Sequence, residues 1–160
     1  MGKDWKKRAI LETTAKNVCS EYRGLLERCE TIEDILDLYK RGADWCLEYS
    51  SPSLELIREY KEECEKAGIF IDRRFNGEVF DSQQTYIFHN CSGTIRTGLN
   101  VEKRIIPMLY FDHGCDMKIE ASARLDIHTR VPLFVYGENN IVAEQSGDIE
   151  CVYYNRAKKC

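Results

Sequence analysis

The chain has 160 residues, of which 43% are apolar and 31% charged, and its formal net charge is −4. This length suits one domain, or a helical lobe and a β lobe that share a core. Neither half is basic enough for a nucleic-acid-binding footprint, and no apolar run approaches the length of a membrane span. Residues 1–8 are too polar for a secretory leader. We therefore expect no nucleic-acid partner, no membrane association and no secretion.

The cysteines indicate a reducing compartment. The sequence contains eight of them. Cys19, Cys29, Cys46 and Cys64 fall within helical patterns, and Cys151 falls on the inward face of an expected strand. Free cysteine behaves as a small buried apolar residue, whereas disulfides belong to oxidising compartments. The pattern favours reduced thiols and a cytoplasmic protein.

Apolar residues at helical spacing predict three helices near the start of the chain. The first covers 5–29, and the second begins after Thr31, a favourable N-cap residue. The third begins at Pro52, which is tolerated in a first turn, and ends at Gly68, placed as a C′ glycine. These helices predict a helical region over 1–72.

An apolar pair recurs every eight residues in the second half of the chain. The pairs are Leu109 and Phe111, Met117 and Ile119, Leu125 and Ile127, Leu133 and Val135, Ile141 and Ala143, and Ile149 and Cys151. Members of a pair are two residues apart and so share one face of a strand. The repeat is too short for a strand plus a helix, which predicts successive short strands over 73–160. We expect the pairs to be buried and Lys118, Glu120, Asp126 and Glu150 to be exposed.

Two architectures satisfy this pattern. The first is an α+β fold in which a three-helix cap packs on a C-terminal β-solenoid, the whole chain forming one continuous folding unit. The second is an antiparallel β-meander or sandwich. The segment 107–111 returns in similar form at 132–136, and few turns carry the dipeptides that tight hairpins prefer. Both observations favour the solenoid.

A resemblance adds to this interpretation. The segment Gly42-Ala43-Asp44-Trp45-Cys46-Leu47, then Pro52-Ser53, a helix ending at 68–72 and the repeat 117–121 resemble a family of small uncharacterised proteins. That family comes from gut-bacterial genomes and their phages and other mobile elements, and the likeness covers 31–154. It implies a helical N-terminus followed by short β repeats and an association with mobile DNA, and it implies no activity.

Two His-x-Cys motifs are candidates for a metal site. They are His89-Asn90-Cys91 and His113-Gly114-Cys115. Two imidazoles and two thiolates suit tetrahedral zinc, so His89, Cys91, His113 and Cys115 form the candidate ligand set. The two motifs must lie side by side. This requires that one turn of the solenoid be as long as the interval from His89 to His113, and it fails if one turn contains only two of the eight-residue repeats. The spacing of the four residues matches no established zinc motif. Both His-x-Cys motifs also fall at expected turns, where His, Asn and Gly are common for structural reasons alone.

The same residues offer a cysteine nucleophile. Cys91 or Cys115 would act with His89, His113 or His128 as the base, and the site would need a base in hydrogen-bond reach and an oxyanion site. His128 falls on an outward position, where an exposed histidine is expected. The common phosphate-binding and hydrolase motifs are absent from the sequence.

The sequence therefore favours a non-catalytic structural or protein-interaction protein without a cofactor. A metal- or thiol-dependent enzyme is the alternative. Unprotected sheet edges pair with other chains, and the last strand is rich in apolar residues. We expect a homodimer through the C-terminal β edge at 149–154.

Overall fold

A computed structural model describes residues 2–15, 20–50, 52–80, 82–97, 107–122, 125–137, 142–146 and 149–153. Contacts between residues divide the chain into two units, 1–69 and 70–160. The first is helical, the second consists of parallel strands, and the α+β prediction is confirmed. Among the described helices, none combines the length and the apolar character that a membrane crossing requires.

In the first unit, the described residues form six helical segments. They are α1 (Gly2–Ala15), α2 (Ser20–Arg28), α3 (Ile32–Arg41), α4 (Ala43–Tyr49), α5 (Leu54–Glu59) and α6 (Lys61–Lys66). Thr31 caps α3 as predicted, because its hydroxyl accepts the Asp34 N–H at 3.1 Å and the Asp34 carboxylate accepts the Thr31 N–H at 3.1 Å. This reciprocal arrangement satisfies two backbone donors that the helix itself leaves free. Gly68 has φ +85°, as expected of a C′ glycine.

The prediction of three helices is wrong in detail. The second predicted helix is interrupted at Gly42, where φ is −104° and ψ is 27°, and the third at Tyr60, where φ is −110° and ψ is 35°. Glycine is a weak helix former, which accounts for the first break. At the second, the Tyr60 ring packs edge-on against Trp5, with 4.5 Å between ring centroids. The first predicted helix corresponds to α1 and α2, and residues 16–19 lie outside the described part of the chain.

Side chains connect these short helices. The Glu12 carboxylate accepts hydrogen bonds from both the backbone N–H and the hydroxyl of Ser53, at 2.9 and 2.5 Å, which ties α1 to the start of α5. Lys40 Nζ donates to the carbonyl of Ala67 at 2.7 Å. This bond satisfies a carbonyl that the end of α6 would leave unpaired.

Ten strands follow. They are β1 (Ile69–Ile71), β2 (Arg74–Val79), β3 (Thr85–His89), β4 (Ser92–Thr97), β5 (Met108–Phe111), β6 (Asp116–Ala121), β7 (Leu125–Thr129), β8 (Leu133–Gly137), β9 (Val142–Ser146) and β10 (Ile149–Tyr153). The odd-numbered strands form one sheet in the order β1-β3-β5-β7-β9, and the even-numbered strands form the other in the order β10-β8-β6-β4-β2. Each strand thus pairs with the second strand along the chain. The predicted boundary at 72/73 separates β1 from its sheet, whereas the contact boundary falls after residue 69.

The registered pairings between described strands are all parallel, so the antiparallel meander or sandwich is wrong. Successive strands cannot form hairpins when each leaves one sheet for the other. The sequence interval between paired positions is not constant. Ser92 pairs with Asp116, whereas Lys118 pairs with Phe134, so the interval is shorter from β6 to β8 than from β4 to β6.

The first four apolar pairs of the eight-residue repeat are buried, as predicted. Leu109, Phe111, Met117, Ile119, Leu125, Ile127, Leu133 and Val135 are each at most 1% exposed. Lys118 and Glu120 are exposed as expected, whereas Asp126 is half-buried. The side chains of the last two pairs and of Glu150 lie outside the described part of the chain.

Aromatic rings stack through the core of the second unit. The Phe70 and Phe88 centroids are 5.4 Å apart with an interplanar angle of 23°, and those of Phe88 and Phe111 are 4.8 Å apart at 11°. Phe88 also packs edge-on against Phe75 and Phe80. Equivalent positions on neighbouring parallel strands place like side chains above one another, so this stack follows directly from the register.

Three successive links from an odd strand to the next even strand contain a residue with positive φ. These residues are Asp72 at +52°, Asn90 at +49° and Gly114 at +83°. Asp, Asn and Gly are the types that tolerate the left-handed region best. Asn90 Nδ2 donates to Asp72 Oδ1 at 2.7 Å, which joins two of the links. We call 89–91 and 112–115, the second and third links with their flanking residues, the corner cluster.

Candidate functional site

The corner cluster brings the two His-x-Cys motifs side by side. Phe88 at the end of β3 pairs with Phe111 at the end of β5, and Ser92 pairs with Asp116 as β4 and β6 begin. The motifs lie between these pairings on neighbouring strands. The long interval between paired positions that this arrangement requires is therefore present from β4 to β6, although the interval from β6 to β8 is shorter.

His89 and Asp112 form a buried pair within the cluster. His89 Nδ1 lies 2.9 Å from Asp112 Oδ2, and the two residues are 1% and 5% exposed. Burial raises the pKa of the Asp112 carboxyl and is the largest single influence on it. The hydrogen bonds from the His89 side chain and the His113 backbone N–H, together with the electrostatic effect of both histidines, outweigh burial and leave this pKa below its ordinary value. The ionised carboxylate therefore accepts a hydrogen bond from the Nδ1–H group of His89. The second oxygen, Oδ1, is buried and has no hydrogen-bond partner among the residues that the structure describes.

Cys91 and Cys115 are neighbours in the same cluster and are 1% and 8% exposed. The Cys91 N–H donates to Cys115 Sγ at 3.4 Å. The Cys91 thiol donates to the carbonyl of His89 at 3.3 Å, and the Cys115 thiol donates to the carbonyl of Phe88 at 3.3 Å. Burial raises the pKa of the Cys115 thiol to about 12. A thiol in this state is protonated at neutral pH, whereas nucleophiles and zinc ligands are thiolates.

The two remaining candidate histidines lie elsewhere. His113 is exposed, and its Nε2 accepts a hydrogen bond of 3.3 Å from Arg130 Nε. His128, expected to be exposed, is half-buried and stacks on Tyr110 with 4.6 Å between ring centroids. Within the described ranges, which include all four proposed zinc ligands, no group of three or more His, Cys, Asp and Glu side chains is arranged to hold a metal ion.

Asp112 is the residue that the sequence analysis missed. It directly follows the apolar run Leu109-Tyr110-Phe111, and an acid at the end of a buried strand is a detectable signal. Its partner could not be identified, because His89 lies 23 residues earlier and only the strand register brings the two together.

The sheet of even-numbered strands has a second surface of interest. We call its solvent-facing side, on β2, β4, β6 and β8, the outer face. Along β6, exposed and buried residues alternate at every position. On β8, Phe134 is 39% exposed and Tyr136 is half-buried, and we call these two residues the aromatic strip. In the register, Phe134 lies beside Lys118 and Tyr136 beside Glu120. The outer face thus combines aromatic rings with charges of both signs.

Comparisons with known proteins identify no relative of this chain. No protein-family model, curated protein or solved structure matches the chain.

Proposed function

We propose that the second unit is a β-solenoid and that the protein is a non-catalytic structural or interaction protein. The solenoid is supported by the alternation of strands between two sheets and by parallel pairing of each strand with the second one along the chain. Folds of this type present extended faces to partners. That the helical unit caps the solenoid, and that the chain comes from a phage or another mobile element, stay predictions.

The aromatic strip is the observation that carries the proposed interaction. Phe134 alternates along β8 with the buried Leu133 and Val135, so its ring lies on the outer face, where 39% of its surface is exposed. Aromatic residues are frequent at the centres of protein interfaces, and charged residues surround them at the rim. Phe134 and Tyr136 with the neighbouring Lys118 and Glu120 match this composition. We infer that the partner is a protein and that the aromatic strip contacts it.

Five cysteines with described side chains are buried thiols that form no disulfide: Cys29, Cys46, Cys64, Cys91 and Cys115. This state is compatible with a reducing compartment, so we propose that the protein acts in the cytoplasm.

Affinity purification from the native host tests the interaction. The full chain is compared with Phe134→Ser/Tyr136→Ser and with Leu11→Ser, a control that alters an apolar residue with 60% exposure on the helical unit. We expect a defined partner with the wild type and with Leu11→Ser, and its loss with the double variant. Equal recovery with all three proteins would contradict the role of the aromatic strip.

We also propose a homodimer through β10. The backbone of β10 pairs with β8, and β10 is the terminal strand in the order of the even-numbered sheet. A parallel sheet that ends in an uncovered strand can extend into a second copy. Light scattering at micromolar concentration should give twice the monomer mass, and deletion of 149–160 should return the monomer. A monomer at this concentration would refute the proposal.

A metal- or thiol-dependent enzyme is the second candidate, because the fold places Cys91 and Cys115 next to each other. The raised pKa of Cys115 opposes it. Metal analysis of the purified protein distinguishes the candidates. Stoichiometric zinc that is lost in Cys91→Ser/Cys115→Ser would favour the enzyme and contradict our first proposal.

A further inference from the structure

A groove crosses the outer face along β2, β4 and β6, and its lining residue Lys118 lies beside Phe134 of the aromatic strip. It has a volume of about 430 Å³. The lining residues are Arg74, Ser92, Gly93, Thr94, Asp116 and Lys118. All of them except the glycine carry polar side chains, so the groove suits a polar ligand rather than an apolar one.

Side-chain length explains the shape of the groove. Ser92 and Thr94 on the central strand β4 are short, whereas β2 contributes Arg74 on one side and β6 contributes Lys118 on the other. Gly93 lies between the two short residues with φ +103°, and a Cβ there would collide with the carbonyl of Phe75. The absence of a Cβ at Gly93 therefore permits the close approach of β2 and β4 beneath the groove.

Within the described part of the chain, the charged side chains of the groove are not joined in ion pairs. Arg74, Lys118 and Asp116 form no hydrogen bond or ion pair through their side chains with other residues that the structure describes. By contrast, the next pair of charges on the same face, Arg96 and Glu120, are joined at 3.1 Å. The groove therefore offers two cationic groups, one carboxylate and two hydroxyls to a ligand.

We propose that this groove binds a small hydroxylated carboxylate, such as an acidic sugar. The ligand carboxylate would accept hydrogen bonds from the guanidinium of Arg74 and the ammonium of Lys118. The Asp116 carboxylate would accept from a ligand hydroxyl, and the hydroxyls of Ser92 and Thr94 can donate or accept. One ligand class thus uses every polar group of the lining, and its negative charge complements the net positive charge of the groove.

Titration of the isotope-labelled full chain by NMR tests this proposal with D-glucuronate as the probe. Two matched compounds accompany it: methyl glucoside, which lacks the carboxylate, and acetate, which lacks the sugar hydroxyls. We expect saturable shifts at millimolar glucuronate, confined to the amides of 92–94 and 116–118, and weaker effects from both controls. Shifts that do not saturate, or equal shifts with methyl glucoside, would overturn the proposal.

Variants complete the test. Arg74→Gln and Lys118→Gln should each weaken glucuronate binding about tenfold, since each removes a charge-assisted hydrogen bond. Arg41→Gln is the control, because Arg41 is an exposed arginine of the helical unit that pairs with Asp37. Both groove residues are exposed, and preserved spectral dispersion verifies that the variants fold. Unchanged affinity in the two groove variants would refute the site. Arg74 on β2 is separated from β8 by β4 and β6, so the Arg74→Gln result is independent of the aromatic strip.

Discussion

His89 Nδ1 lies 2.9 Å from Asp112 Oδ2 although 23 residues separate the two in the sequence, and both side chains are buried. Removing one member of such a pair leaves the other buried without its partner. We expect Asp112→Ala to lower the free energy of unfolding by about 3 kcal/mol. Asp112→Asn keeps an acceptor oxygen and should cost about 1 kcal/mol. Chemical denaturation at neutral pH measures both, and equal losses would show that the hydrogen bond contributes little.

The same pair predicts a pH dependence. The pKa of Asp112 in the folded protein lies below the ordinary value of about 3.9 that holds when the chain is unfolded. A group of this kind contributes stability that is fully present above the unfolded pKa and is lost as the pH falls through the folded pKa. The free energy of unfolding of the wild type should therefore decrease between about pH 5 and pH 2 more steeply than that of Asp112→Asn. Parallel curves for the two proteins would contradict this assignment.

The left-handed links predict a large effect of a small substitution. At Gly114 φ is +83°, and an added Cβ would lie 2.6 Å from Asn90 Oδ1. Gly114→Ala should destabilise the protein by about 2 kcal/mol, because it combines backbone strain with this close contact. Gly24→Ala is the control, since Gly24 lies within α2 and only the flexible end of Arg28 is near. That change should stabilise by up to about 1 kcal/mol in thermal or chemical denaturation.

The central ring of the aromatic stack should dominate core stability. Phe88 is fully buried and packs against Phe70, Phe75, Phe80 and Phe111. Phe88→Ala removes these contacts and leaves a cavity, so we expect a loss of about 4 kcal/mol. Phe134→Ala, at an exposed position on β8, is the matched control. Its cost should stay below about 0.5 kcal/mol in the same denaturation experiment.

Thiol reactivity separates the two functional candidates. Burial raises the pKa of Cys46 to about 11 and those of Cys64 and Cys115 to about 12. At pH 8 we expect iodoacetamide to leave these three residues unmodified in the folded protein and to modify them in denaturant. Peptide mass spectrometry identifies the modified sites. Rapid alkylation of Cys115 in the folded state would support the thiol-enzyme candidate instead.

Local patterns in the sequence predicted the strands but not their partners. The spacing of Leu109 and Phe111 determines which side chains share a face, and this information lies within one strand. The bond between His89 and Asp112 depends on a register between strands that are distant in sequence. The breaks at Gly42 and Tyr60 also escaped prediction, because apolar spacing continues across both. The zinc hypothesis required that the two His-x-Cys motifs lie side by side, and the strand register places them so. The hydrogen bonds of His89 and His113 could not be predicted, because they depend on three-dimensional packing.

The unequal intervals between paired strands have a consequence for detecting distant homologues. Ser92 on β4 pairs with Asp116 on β6, whereas Lys118 on β6 pairs with Phe134 on β8 after a shorter stretch of chain. The three strands themselves have nearly equal lengths. The entropy of closing a link grows only slowly with its length, so links can gain or lose residues at little cost. An insertion or deletion of one residue inside a strand would instead turn the inward side chains to the other face of the sheet. Alignments of related chains should therefore place their gaps in the links, and a search with a fixed repeat period will overlook true relatives.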